Sequence, residues 1–157
     1  MIFSETQKFA PWVTWLIAGI VLVMVLACAL VFMSLDLTPL LKTIILIGIV
    51  ISTLPIFLIK LLRLKTEFDT QEIRMNFSPL SKKVFKWSDI ESAKLIDYGF
   101  VGGWGIRMMT KYGTVYNTQG SEGLLLKFKN GKSVVIGTQR SEDLQRFLDK
   151  NFETFKN

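Results

Sequence analysis

The chain has 157 residues, half of them hydrophobic, and its mean hydropathy of +0.37 is too high for an ordinary soluble globule or for a disordered segment. With no histidine and one cysteine, zinc sites of the imidazole/thiolate type, Cys-His or Ser-His nucleophile pairs and internal disulfides are all excluded. A net charge of +6 favours acidic partners: anionic lipid, nucleic acid or an acidic protein.

Between Lys8 and Asp36 lies an uncharged run, Phe9 to Leu35, longer than the ~20 residues needed to cross a ~30 Å hydrocarbon core. Trp12 and Trp15 stand at its N-terminal end, where amphipathic indoles favour the headgroup level. A secretory signal has a shorter apolar core and a small-x-small cleavage site, so a transmembrane helix over about 10–35 is predicted. A second run, Thr43 to Ile59, is extended by Leu40, Leu41, Leu61 and Leu62 to a helix over about 40–62, with Pro55 as a possible kink. The short polar connector Ser34 to Pro39 makes the two helices an antiparallel hairpin. Ala18, Gly19, Ala27, Ala29, Gly48 and Ser52 are small enough to permit close packing against further helices. Cys28 reads as a small apolar residue.

Lys8, Lys60, Arg63 and Lys65 flank the outer ends of the hairpin, while the connector offers Asp36 and Lys42. The positive-inside tendency then predicts a multi-pass protein of the cell (inner) membrane with both termini cytoplasmic. Residues 1–65 form the transmembrane part, and residues 66–157 a cytoplasmic domain with room for one compact core.

In that domain, short alternating or β-branched runs recur between turn signals. Strands are predicted at Glu72–Phe77, Lys83–Trp87, Glu91–Tyr98, Trp104–Met109, Thr114–Asn117, Gly123–Lys129 and Lys132–Gly137. Asn130-Gly131 is the strongest hairpin signal, since both positions of a type I′ turn need φ > 0. Leu144, Phe147, Leu148, Phe152 and Phe155 then share one face of an α-helix, with Ser141 as N-cap and Glu142 and Asp143 at the positive end of its dipole. Seven antiparallel strands closed by an amphipathic helix describe a barrel or sandwich of pleckstrin-homology type; the alternative is a split sheet with a helix across one face.

The two N-terminal helices, with Gly102-Gly103-Trp104-Gly105-Ile106-Arg107, Tyr112 to Tyr116, Gly120, Gly123 to Phe128, Asn130-Gly131-Lys132 and Val135 to Thr138, resemble the bacterial PH-like membrane proteins. The resemblance spans roughly residues 10–155. It implies a fold and a membrane address, and no reaction, cofactor or ligand. Inositol-lipid binding through a basic first loop, known in eukaryotic PH domains, has as its counterpart Ser78 to Lys83, with only two basic residues.

Two groups of residues are candidates for contact. Lys60, Arg63, Lys65, Lys82, Lys83 and Lys86 could face anionic lipid, each worth ~1 kcal/mol near a charged leaflet; Lys82, Lys83 and Lys86 could equally protect a strand edge. Trp104 and Arg107 could meet a partner or an anion; their structural alternatives are a tight strand start for the glycine loop and an ion pair of Arg107 with Asp97 or Glu122. The loop lacks the Lys-Ser/Thr pair and following helix of a P-loop. No shielded carboxylate pair is evident and no base-reading motif appears, so neither an enzyme nor a nucleic-acid binder is expected. The sequence therefore points to a non-enzymatic, cofactor-free and metal-free membrane-anchored interaction module with a protein partner or a second copy. An accessory subunit of a membrane complex and a sensor of anionic headgroups are the alternatives.

Overall fold

A computed structural model describes residues 3–34 and 36–151, and these divide into two compact units. One is the segment Phe9–Leu61; the other combines the residues up to Lys8 with those from Leu62 onward.

The first unit is a pair of helices, α1 (Pro11–Ser34) and α2 (Pro39–Leu61). Both are long and apolar enough to cross a bilayer: a 23-residue helix rises ~35 Å, more than the ~30 Å of a hydrocarbon core. Their side chains are largely uncovered, Trp15 at 78 % and Val50 at 69 % exposure, as suits a lipid solvent rather than water. Proline opens each helix at a position where no intrahelical N–H is needed, and Thr38 caps α2 by accepting from the Leu41 N–H at 3.4 Å. Hydroxyls within α2 return to their own helix: Thr43 donates to the Pro39 carbonyl, Ser52 to that of Ile49 and Thr53 to that of Val50. No lone hydroxyl hydrogen is thereby presented to an apolar solvent. The helix runs through Pro55 to Leu61. A Cβ at Gly19 or Gly48 would meet nothing within 4 Å, so neither glycine sets the approach of α1 to α2.

The described residues of the second unit hold nine strands in two sheets. In the first sheet β1 (Phe3–Lys8), β2 (Arg63–Phe68), β3 (Glu72–Ser78) and β4 (Ser81–Lys86) lie in sequence order, all antiparallel. In the second, β5 (Ile90–Asp97), β6 (Gly105–Thr110), β7 (Gly113–Asn117), β8 (Glu122–Phe128) and β9 (Ser133–Gly137) take the order β5-β8-β9-β7-β6. Helix α3 (Ser141–Asn151) follows. Alternation sends Leu64, Thr66 and Phe68 of β2 and Ile73, Met75 and Phe77 of β3 inward. The α3 stripe Leu144, Phe147 and Leu148 is buried, and the Phe147 ring lies 6.3 Å from Phe3 and 6.5 Å from Phe68. Phe85 and Phe128, 5.4 Å apart, join β4 to β8 across the sheets.

The outer face of the second sheet is covered as well. Val115 and Val135 on that face form a small apolar cluster with Tyr98, against which Ile96, Val101, Tyr112 and Leu125 pack. The β5–β6 connection thus folds back over its own sheet.

Four expectations are corrected. Two strands lie outside the expected set: Phe3–Lys8 and the first half of Arg63–Phe68 fall within the 1–65 span expected as transmembrane, so the boundary between units moves from 65/66 to 61/62 and the β unit takes in Phe3–Lys8. The strands are not all antiparallel, since β7 and β9 pair parallel through Thr114↔Val134 to Tyr116↔Ile136. Trp104 precedes β6 instead of opening it. The helices run 11–34 and 39–61 where 10–35 and 40–62 were expected, and Leu35, Phe152 and Phe155 lie outside the described residues.

Candidate functional site

Strand parity decides which of the basic residues act together. On the outward side of the first sheet the register aligns Lys8 with Arg63, Lys65 with Asn76 and Lys82, Glu67 with Arg74, and Glu72 with Lys86. Six cations therefore share one face with two carboxylates. Lys65 pairs with Glu67 at 2.6 Å and Arg74 with Glu72 at 2.6 Å, which holds the Glu67 carboxyl below its ordinary range and the Arg74 guanidinium above its own. Such exposed pairs add little to stability, because water screens them. Lys8, Arg63, Lys82 and Lys86 have no carboxylate partner among the described residues, so the face keeps a local positive excess. It carries a shallow cavity of about 270 Å³ that takes in Lys65, Glu67, Arg74, Asn76 and Lys82. The buried Asn76 Oδ1 finds no donor.

Two members of the expected basic set stand apart. Lys83 has the parity of Met75, the opposite side of the sheet, and its Nζ lies 5.5 Å from the centre of the Tyr116 ring. Lys60 belongs to the last turn of α2, where a cation suits the negative end of the helix dipole. Lys8, Arg74 and Asn76 enter the face although sequence reading did not include them. The signal that could have found Arg74 and Asn76 is the alternation through Glu72–Ser78, but it assigns a shared face only once the register is fixed.

The second candidate is the glycine-rich connection and Arg107. Gly102, Gly103 and Gly105 have φ of 83°, 116° and 108°, a region that side chains rarely adopt. At Gly103 a Cβ would lie 2.6 Å from Arg107 Nη2, so the arch passes close over the guanidinium. Arg107 aligns with Val115 and Val135 on the covered outer face of the second sheet, so its stem lies on an apolar floor beneath the glycine arch. The expected ion pair with Asp97 or Glu122 does not form. Asp97 instead accepts from the Gly99 N–H at 2.9 Å and from the Ser121 hydroxyl, which together hold its carboxyl below the usual range. Arg107 Nε is enclosed without an acceptor, whereas its two terminal nitrogens are not enclosed. Trp104 stands half-buried in the arch.

Tyr98 anchors this arch. Its hydroxyl donates to the Gly120 carbonyl at 3.3 Å and accepts from Asn117 Nδ2 at 3.2 Å, while Asn117 Oδ1 accepts from the Gly105 N–H at 3.1 Å. Tyr98→Phe leaves the buried Asn117 amide without its acceptor and should cost ~1–3 kcal/mol near neutral pH. Burial pushes the Tyr98 phenol above its ordinary value. The folded state thus keeps this proton to higher pH than the unfolded chain, so the contribution is full below ~10 and declines as pH rises beyond it. The stability gap between wild type and Tyr98→Phe, measured by denaturant unfolding from pH 8 to 11, should be constant at first and then narrow. A gap that widens on the alkaline side would contradict this origin.

Among the described residues, no three His, Cys, Asp or Glu side chains gather to hold a metal ion. No protein-family model matches the sequence, and no curated protein matches it significantly.

Proposed function

We propose that the protein is a non-enzymatic, membrane-anchored interaction module: a PH-like β unit on the cytoplasmic face of the inner membrane, tethered by two transmembrane helices. One observation carries the reading. The segment before α1 and the segment after α2 are paired strands, with Lys8 opposite Arg63. Segments hydrogen-bonded in one sheet lie on one side of a bilayer, so the chain between them crosses an even number of times; α1 and α2 supply two crossings. Lys8, Lys60, Arg63 and Lys65 on that side, against Asp36 and Lys42 at the connector, support a cytoplasmic assignment. Two mainly antiparallel sheets and a terminal helix packed on Phe3 and Phe68 support the PH-like description.

The uncovered small residues Gly19 and Gly48 favour, as a second reading, an accessory subunit whose hairpin packs against other helices. The basic face of the first sheet would suit contact with anionic headgroups alongside either role.

Cysteine labelling in intact spheroplasts tests the tether. In a Cys28→Ser background, Asp36→Cys should react with an impermeant maleimide from outside, and Ser121→Cys only after permeabilisation. Labelling of Ser121→Cys from outside would invert the arrangement, and labelling of both from outside would remove the crossing.

A further inference from the structure

We infer that Arg107 is the receptor for a carboxylate carried on an extended segment of a protein partner, which adds to the free edge of β6. The inference deepens the interaction-module reading by assigning the partner's chemistry. Three observations carry it.

The first is an unspent charge. A guanidinium offers five N–H donors, and here none has an acceptor among the described residues: the Nε is enclosed and unpaired, and no ion pair with a described residue reaches the side chain. Holding a cation on an apolar floor without a partner costs stability. The cost is understandable if an acceptor arrives from outside. With Nε enclosed, only the two terminal nitrogens can meet it, which is the end-on, bidentate geometry that matches a carboxylate.

The second is that the glycine arch confines the side chain on one side. The arch at Gly103 lies against the guanidinium so closely that a Cβ there would be 2.6 Å from Nη2. A receptor confined beforehand loses less rotamer freedom on binding.

The third is the surroundings. Among the described residues β6 ends the strand order of the second sheet with β7 as its only strand neighbour, so its regular part, Gly105 to Arg107, has one ladder open to an added strand. Met108 and Met109 on the same strand are 73 % and 100 % exposed, and Phe100 in the connection is 86 % exposed. A free ion needs no such apolar flank beside the charge. An acidic residue between apolar ones on an extended segment fits both.

The test uses the full chain in detergent and two probe peptides, acetyl-Thr-Val-Glu-Val-Thr-amide and its Gln counterpart, with acetate and inorganic phosphate as free anions. Titrations should show the Glu peptide binding at least tenfold more tightly than the Gln peptide and than either free anion. Arg107→Gln should bring the Glu peptide down to the level of the Gln peptide. Arg107→Lys should lose most of the difference, since a point charge does not replace the fork, and Lys111→Gln should change binding less than twofold. Thermal unfolding gives the independent readout: Arg107→Met should melt at or above the wild-type temperature, because the guanidinium satisfies nothing in the fold. Equal binding of the two peptides, unchanged binding by Arg107→Gln, absence of binding, or phosphate binding as tightly as the Glu peptide would each overturn the proposal. So would a lower melting temperature for Arg107→Met, which would make the side chain structural. None of these readouts depends on membrane orientation, so a failure here is distinct from a failure of the tether.

Discussion

Gly113→Val should destabilise the β unit by more than ~3 kcal/mol while both helices stay in the membrane. Gly113 opens β7 with φ +81°, and its missing Cβ would fall on the Ser133 carbonyl oxygen, with Ser133 Oγ only 2.7 Å away. Ser133 cannot yield easily. Its hydroxyl donates to the Tyr112 carbonyl at 2.9 Å, it is register-paired with Lys127 of β8, and the next residue begins the parallel pairing of β7 with β9. A β-branched residue in this backbone region costs ~1–3 kcal/mol, and forced overpacking adds a similar amount. Gly131→Ala is the control. It has nearly the same φ, +80°, at the β8–β9 turn, but a Cβ there meets nothing within 4 Å, so only the backbone strain remains. Pulse proteolysis of the full chain in detergent should separate the two by at least ~2 kcal/mol, and both should resist carbonate extraction from membranes. Similar losses for the two variants would mean that the close approach at Ser133 is not what fixes Gly113.

That glycine sits at a feature the sequence did not reveal. All seven strand segments predicted after residue 71 are present, because each shows a short apolar or β-branched run between turn residues. Asn130-Gly131 does join β8 and β9 as an antiparallel pair, but only Gly131 has a positive φ, so the turn is not the expected type I′. Local signals of that kind pair neighbours in sequence, and nothing local brings β7 beside β9 in parallel across the intervening β8. β1 was illegible for a different reason. In Phe3-Ser4-Glu5-Thr6-Gln7-Lys8 the inward positions are Phe3, Glu5 and Gln7, so the strand has the right period and the wrong polarity. β2 does alternate, through Leu64, Thr66 and Phe68, but its outward Arg63 and Lys65 had already been explained as membrane flanks. The site residues follow the same rule. Individual lysines were visible, but one position of register separates Lys82, on the cationic face, from Lys83, which turns toward Tyr116. For Arg107, attraction between opposite charges suggested Asp97; backbone geometry won, since Asp97 is taken by the Gly99 N–H and Ser121.

The polar inward side of β1 leads to the second large effect: Glu5→Ala with Gln7→Ala should cost the β unit ~4 kcal/mol, against less than ~0.5 kcal/mol for Ser4→Ala with Thr6→Ala on the outward side. Gln7, 1 % exposed, donates to the Gly137 carbonyl at 2.7 Å and accepts from the Thr118 hydroxyl at 3.2 Å. Glu5, 6 % exposed, accepts from the Thr138 hydroxyl at 2.6 Å and from the Gln139 N–H at 2.8 Å. Truncating both removes four hydrogen bonds, three of them to the buried Gly137, Thr118 and Thr138, at ~1–3 kcal/mol for each buried group left short of a partner before relaxation and water entry soften the sum. These bonds tie the first sheet to the end of β9 and the start of α3, where Arg140 also lies over the Phe3 ring at 5.3 Å. β1 leads into α1, so its release would leave the sheet joined to the helices at the α2–β2 connection. Amide exchange in the full chain is the direct measurement. The double variant should lose protection first at Gln139 and Thr138, and then through β1 and β2, while β5 and β8 keep theirs. Uniform loss across both sheets would show that β1 is an inseparable part of one cooperative core, and no loss at Gln139 would show that its N–H does not depend on Glu5.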